Sequence, residues 1–186
     1  MKEIIPPKSN FLVKRYKKPC SLRFFDRYYI PPRGYSLVVV SQHNKSITSL
    51  YHMGGKITSS DFLYLIKMDF DITWGVGKLN CTMENDVQSF DFGLSGSASF
   101  EVNHPADFFI KMNVGNVQKI YVDDFKNIWL RIWSDLLKKT FYENKVAYNQ
   151  VHNVVDTLKS TIDHELSENY SINVTKISIK ETTELN

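Results

Sequence analysis

The chain has 186 residues, 42% of them hydrophobic and 13% aromatic, and a formal net charge of +3. That is apolar material for one well-buried core, and it argues against disorder over most of the length. No apolar run approaches the roughly 20 residues that a membrane-spanning helix requires, and two cysteines, Cys20 and Cys81, cannot complete a four-ligand zinc site by themselves.

The opening stretch MKEIIPPKSN puts two prolines where a signal peptide has its apolar segment, so no secretion signal is expected and the cysteines read as the thiols of a cytoplasmic protein. The charge is uneven. Residues 1 to 34 hold nine Lys or Arg against Glu3 and Asp26, a balance of +7; the remainder, with 14 basic and 18 acidic groups, stands at −4. We therefore divide the chain into a basic N-terminal arm, 1–29, and a domain spanning 30–186.

The arm reads as FLVKRY, KKP and CSLRFFDRYYI, and it meets the domain at a Pro31-Pro32-Arg33-Gly34 corner. Pro-Pro followed by Gly predicts an extended segment and then a turn. YSLVVVSQ, 35 to 42, is a nearly continuous apolar run and predicts a strand central in its sheet. His43-Asn44-Lys45 supplies a hairpin turn in which Asn suits a positive φ. SITSLYHM, 46 to 53, is the partner strand, ended by Gly54-Gly55. Residues 62 to 73 favour strand, WGVGK (74 to 78) reads as a bend, and a further strand covers 78 to 84 before a turn at Asn85-Asp86.

From Phe90 to Val102 the pattern has a period of two. Phe90, Phe92, Leu94, Gly96, Ala98, Phe100 and Val102 alternate with polar or glycine residues, which specifies a strand with one dry face. His104-Pro105 stops it, because proline cannot donate to a ladder but suits a first helical turn. A short helix follows to Met112, showing Phe108, Phe109 and Met112 on one side.

Two long helices are predicted at about 122 to 142 and 150 to 168, the first with Asp123 and Asp124 at its positive end and Lys138 and Lys139 in its last turn. Asn169 suits a left-handed terminator of the second. The second helix confines its apolar groups to an arc of roughly 120°, whereas the first spreads them over roughly 200°. One sheet face cannot cover that width. Either the N-terminal arm overlays the flank of Leu130, Leu137 and Phe141, or another subunit does. In SINVTKISIKE a bulge near Thr175-Lys176 would bring Ile172, Val174, Ile177 and Ile179 to one face.

The signatures of catalysis are missing. Gly75-Val76-Gly77 lacks the rest of a phosphate loop, Gly93-Leu94-Ser95-Gly96 has the wrong spacing for a nucleophile elbow, and the five histidines fit no metal spacing. Asp69 and Asp71 share one strand face, where a plain polar face is the default over acid/base work. No cofactor is expected. Two features stand out as binding elements. Lys14, Arg15, Lys17, Lys18 and Arg23, with aromatic neighbours, suit an anionic lipid surface or a single-stranded nucleic acid, or else a solvated sheet edge guarded by lysines. Trp74, at the WGVGK corner, suits a partner anchor or simple packing.

In order, these elements resemble the SPFH (band 7, or stomatin–prohibitin–flotillin) domain, in particular its bacterial virion-core-protein-like subgroup. The likeness rests on Pro32-Arg33-Gly34-Tyr35 before LVVV, on Trp74-Gly75, and on FGLSGSASF (92 to 100) running to His104-Pro105-Ala106-Asp107-Phe108. It covers roughly 30 to 182. Asn103-His104 stands where the family usually has Asp, and Asn169-Tyr170 stands in place of a Gly before the last strand. The resemblance implies an α+β domain, mostly antiparallel sheet with a short helix and two long ones packed on it. It also implies a scaffold without catalytic residues that self-associates at the inner face of a membrane and recruits protein partners. The expected roles are therefore a non-enzymatic scaffold docking on anionic lipid or a membrane-associated complex, or alternatively a nucleic-acid-binding module using the basic arm.

Overall fold

Period-two segments became strands and period-3.6 segments became helices, and the fold is α+β with mostly antiparallel sheets. The computed structural model describes residues 2–3, 10–16, 27–58, 61–82 and 89–184. In chain order the strands are β1 (Lys2–Glu3), β2 (Phe11–Tyr16), β3 (Arg27–Ile30), β4 (Tyr35–Val40), β5 (Ile47–Ser49), β6 (Gly55–Ile57), β7 (Phe62–Lys67), β8 (Asp69–Thr82), β9 (Ser89–Val102), β10 (Lys119–Tyr121) and β11 (Ile172–Glu184). The helices are α1 (Pro105–Lys111), α2 (Val122–Asn144) and α3 (Val151–Tyr170). The chain divides into two units: one holds 1–70, 101–122 and 169–172, the other 71–100, 123–168 and 173–186.

The first unit is built on an antiparallel sheet ordered β10-β2-β7-β4-β5. β4 and β7 each bury four consecutive residues, as a strand covered on both faces must. On one side α1 lays Phe109 against Tyr64, ring centroids 4.7 Å apart. On the other side the small sheet β1-β3-β6 brings Tyr29 and Ile57 onto Leu37, Val39, Leu63 and Leu65. The Pro-Pro-Arg-Gly corner is a tight turn: Gly34 takes φ 76° and the Tyr35 N–H donates to the Pro32 carbonyl at 3.1 Å.

The basic arm requires correction. Its FLVKRY segment is β2, an interior strand paired on both sides by β10 and β7. It is neither a free arm nor a sheet edge. Three turn expectations also shift. In the β4–β5 connection Lys45, not Asn44, holds positive φ (54°), and the Asn44 carboxamide oxygen instead accepts from the Ser46 N–H and hydroxyl. β5 stops at Ser49, so residues 51 to 53 form a turn and Gly55 opens β6. The expected turn at Asn85-Asp86 lies outside the described residues.

The second unit is a sheet ordered β11-β9-β8 with α2 and α3. On β9 the even-numbered residues from Phe92 to Phe100 are buried, while Asp91 is exposed and the serines between are half-buried. α2 seals this dry face: Phe141 meets Phe92 at 5.4 Å, and Phe125 and Trp129 meet Phe100 at 5.3 and 5.4 Å. α3 is tied to β11, the Asp163 carboxylate accepting the Val174 N–H and Lys159 donating to the Thr175 carbonyl at 2.7 Å.

WGVGK is not a bend. β8 runs unbroken, but Gly77 and Lys78 are exposed in succession and Lys78 takes φ 58°, which moves the buried parity from even to odd as a β-bulge does. The bulge expected at Thr175-Lys176 is present by the same sign, two successive exposed residues between buried Val174 and Ile177. α2 continues to Asn144, so Lys138 and Lys139 fall short of its last turn. α3 ends at Tyr170, and the left-handed residue after it is Ser171 (φ 56°), not Asn169.

Candidate functional site

Most of the expected binding residues divide between two faces or enter the core. In β2, antiparallel to β7, Lys14 stands opposite Leu65 and Arg15 opposite Tyr64, so successive side chains leave opposite faces of the sheet. The Arg15 guanidinium lies 3.9 Å from the centroid of the Phe62 ring on the α1 side. Lys14 faces the other way and is exposed. Lys17, Lys18 and Arg23 lie outside the described residues. The basic cluster expected from the sequence is therefore not one patch.

On the Lys14 side a different group assembles. β10 is an edge strand whose Lys119 sits directly opposite Lys14, while Ile120 sits opposite Val13, and both of those are buried. A register irregularity after Ile120 then pairs Tyr121 with Phe11. These two rings stack at 4.6 Å; the Lys14 ammonium lies 4.8 Å over Phe11 and the Lys119 ammonium 5.1 Å over Tyr121. Lys67, two residues beyond Leu65 on the same side, reaches the Asn10 side-chain oxygen at 3.5 Å. Among the described residues none of the three lysines forms an ion pair. Like charges directly opposite across a ladder oppose folding, and the rings beneath offset part of that through cation–π attraction.

Three of the four residues expected at a partner surface, Trp74, Leu137 and Phe141, fall inside the molecule. Trp74 is buried beside Trp129 and Trp133, with centroids 6.2 and 5.8 Å away, and Trp129 and Trp133 stack at 5.8 Å. Among the described residues none of the three buried indole N–H groups has a hydrogen-bond acceptor, so the cluster is held by ring packing. Leu137 and Phe141 are buried as well. Phe141 is covered by β9, and no arm or second subunit is needed for it. Leu130 is half-buried. The fully buried stripe of α2 is Phe125, Trp129, Trp133, Leu137 and Phe141, and the width of its apolar arc comes from half-buried Ile128, Ile132 and Leu136.

Asp69 and Asp71 are exposed on β8, and His104 and His164 are exposed as well. Among the described residues no three His, Cys, Asp or Glu side chains come together in a way that could hold a metal ion, and no helix is long and apolar enough to cross a membrane. Cys81 is buried. A hollow between the end of α2 and the start of α3, near Thr140, Asn144, Gln150 and Asn153, presents no titratable side chain. Lys119 and Lys67 were not singled out from the sequence; a three-residue strand and a lone lysine carry too little pattern to mark them. No family model matches the chain, and no curated protein matches it significantly.

Proposed function

We propose that this chain is a non-enzymatic scaffold domain that docks peripherally on an anionic lipid surface through the lysine side of its first unit. The observation that carries the reading is the Lys14–Lys119 pair, two exposed cations held face to face with no ion-pair partner among the described residues. Such an arrangement is relieved by an external anion, and near an anionic leaflet each charge contributes roughly 1 kcal/mol. Lipid is favoured over single-stranded nucleic acid because Phe11, the ring beneath Lys14, is 8% exposed and already stacked on Tyr121, so the lysine pair has no open stacking face beside it for a base. Recruitment of protein partners and self-association belong to the same reading, the latter through the half-buried shoulder of Ile128, Ile132 and Leu136 on α2.

Co-sedimentation with neutral and with anionic vesicles tests docking. Wild type should bind only the anionic ones, less tightly as salt rises, and Lys14→Ala/Lys119→Ala should lose most of that binding. Equal binding of both vesicle types, or a tighter salt-sensitive hold on oligonucleotides, would overturn the lipid reading. Light scattering over a range of concentrations tests self-association; a strict monomer removes that part.

A further inference from the structure

We infer that a hollow of about 370 Å³ beside β4, β5 and β6 receives the headgroup of a lipid carrying a phosphate and a polyol, of the phosphatidylglycerol type. This rests on the docking reading above and names the lipid. Ligand pockets run from about 300 to 1,000 Å³, so this one suits a headgroup rather than a whole lipid.

The lining chemistry selects the ligand. His43 and Lys56 supply donors for a phosphate, and the hydroxyls of Ser41, Ser46 and Thr48 both donate and accept. Asp61, 7% exposed, also lines the hollow, and one of its carboxylate oxygens is held by the Thr58 N–H at 2.8 Å. A carboxylate opposes a bare phosphate or sulfate but accepts from alcohol groups. A ligand with a phosphate toward Lys56 and His43 and free hydroxyls toward Asp61 satisfies both ends. A serine headgroup would bring a second carboxylate against Asp61 and be disfavoured.

The surroundings point to a lipid rather than a free metabolite. Leu50 and Lys56 line the hollow, and the turn between them exposes Tyr51 and Met53, the latter at 80%. That turn has a fixed shape. His52 and Gly54 take φ 57° and 66°, the Tyr28 hydroxyl donates to the Met53 carbonyl at 3.2 Å, and a Cβ at Gly54 would meet Ile30 at 2.9 Å. Tyr28, itself 46% exposed, pairs with Lys56 across β3 and β6. Aromatic and thioether side chains beside an ammonium suit the boundary between headgroups and acyl chains. The small sheet bearing them covers the same side of the five-stranded sheet from which Lys14 and Lys119 project. At about 4.8 Å per strand the hollow on β4 and β5 and the lysine pair on β10 and β2 are roughly 14 Å apart across the sheet, so one membrane surface can engage both.

The experiment compares vesicles of neutral phosphatidylcholine carrying equal fractions of either phosphatidylglycerol or phosphatidylserine. Wild type should prefer phosphatidylglycerol about fivefold to tenfold, the worth of one or two hydrogen bonds. His43→Ala and Thr48→Val should abolish that preference while keeping the charge-dependent binding common to both lipids. Tyr51→Ser/Met53→Ser should weaken both lipids alike, and glycerol phosphate should compete for phosphatidylglycerol vesicles where inorganic phosphate does not. Equal binding of the two lipids by wild type overturns the headgroup pocket even if the variants misfold. It leaves the docking reading intact when Lys14→Ala/Lys119→Ala still loses both. Absence of binding to any anionic vesicle overturns the docking reading and the pocket with it.

Discussion

Gly96 leaves the space that the indole of Trp74 fills: a Cβ at position 96 would stand 2.9 Å from the Trp74 ring and would collide with the Ser178 carbonyl. That carbonyl belongs to β11, which cannot step aside without shifting its ladder. Gly96→Ala should therefore lower stability by about 1–3 kcal/mol or more, read as an earlier urea midpoint of tryptophan fluorescence. Gly75→Ala, whose nearest neighbour would be an ordinary 3.8 Å away, should be neutral or stabilising by up to about 1 kcal/mol. Equal losses in the two variants would show that the close approach does not govern this core.

The lysine pair predicts opposite signs for folding and docking. Lys119→Glu replaces a repulsive cross-strand pair with an attractive one, so stability should rise by about 0.2–1 kcal/mol while binding to anionic vesicles falls. Arg15→Ala should lose about 0.5–1 kcal/mol with its ring contact and leave vesicle binding unchanged, because Arg15 leaves the other face. Thermal melts alongside co-sedimentation check both. A large docking defect in Arg15→Ala would restore the single basic patch.

Leu137 has no exposed surface. Leu137→Glu should cost several kcal/mol, since a buried carboxylate without a partner is expelled or forced neutral. The effect should be independent of protein concentration, in contrast to what a subunit interface at that residue would give. Denaturation at two widely separated concentrations distinguishes the two.

Burial holds the Tyr35 phenol above its ordinary value of 10.0. The folded state then keeps this proton more tightly than the unfolded chain. Stability is unaffected by the residue below about pH 10 and falls as pH rises from there through the folded value. Tyr35→Phe should show a shallower alkaline decline than wild type in denaturant titrations between pH 9 and 11, values taken to bracket the free phenol at about 10. Parallel curves would remove Tyr35 from the account.

Local pattern carried the fold where one residue's neighbours decide its state. The alternation from Phe90 to Val102, the Pro105 start of α1 and the stripes of α2 and α3 were all readable because period and capping are local. β2 was not, since its pairing with β7 and β10 joins residues some 50 and 105 positions apart, and its charged tail looked like a free arm. WGVGK was misread because two glycines suit a bend and a bulge equally, and only the cross-strand register separates them. The candidate site was least legible: Lys119 meets Lys14 through the sheet alone, and the lining of the hollow is gathered from β4, β5, β6 and the loops between.

The chain passes from one unit to the other five times, after residues 70, 100, 122, 168 and 172. Neither unit is therefore a single contiguous stretch of the chain. On the ribosome the first unit lacks its last piece until residue 172 has been made, and the second begins before the first is complete. Cutting the gene after residue 100 would divide both units between the two fragments, whereas mixing such fragments offers a route to reconstitution.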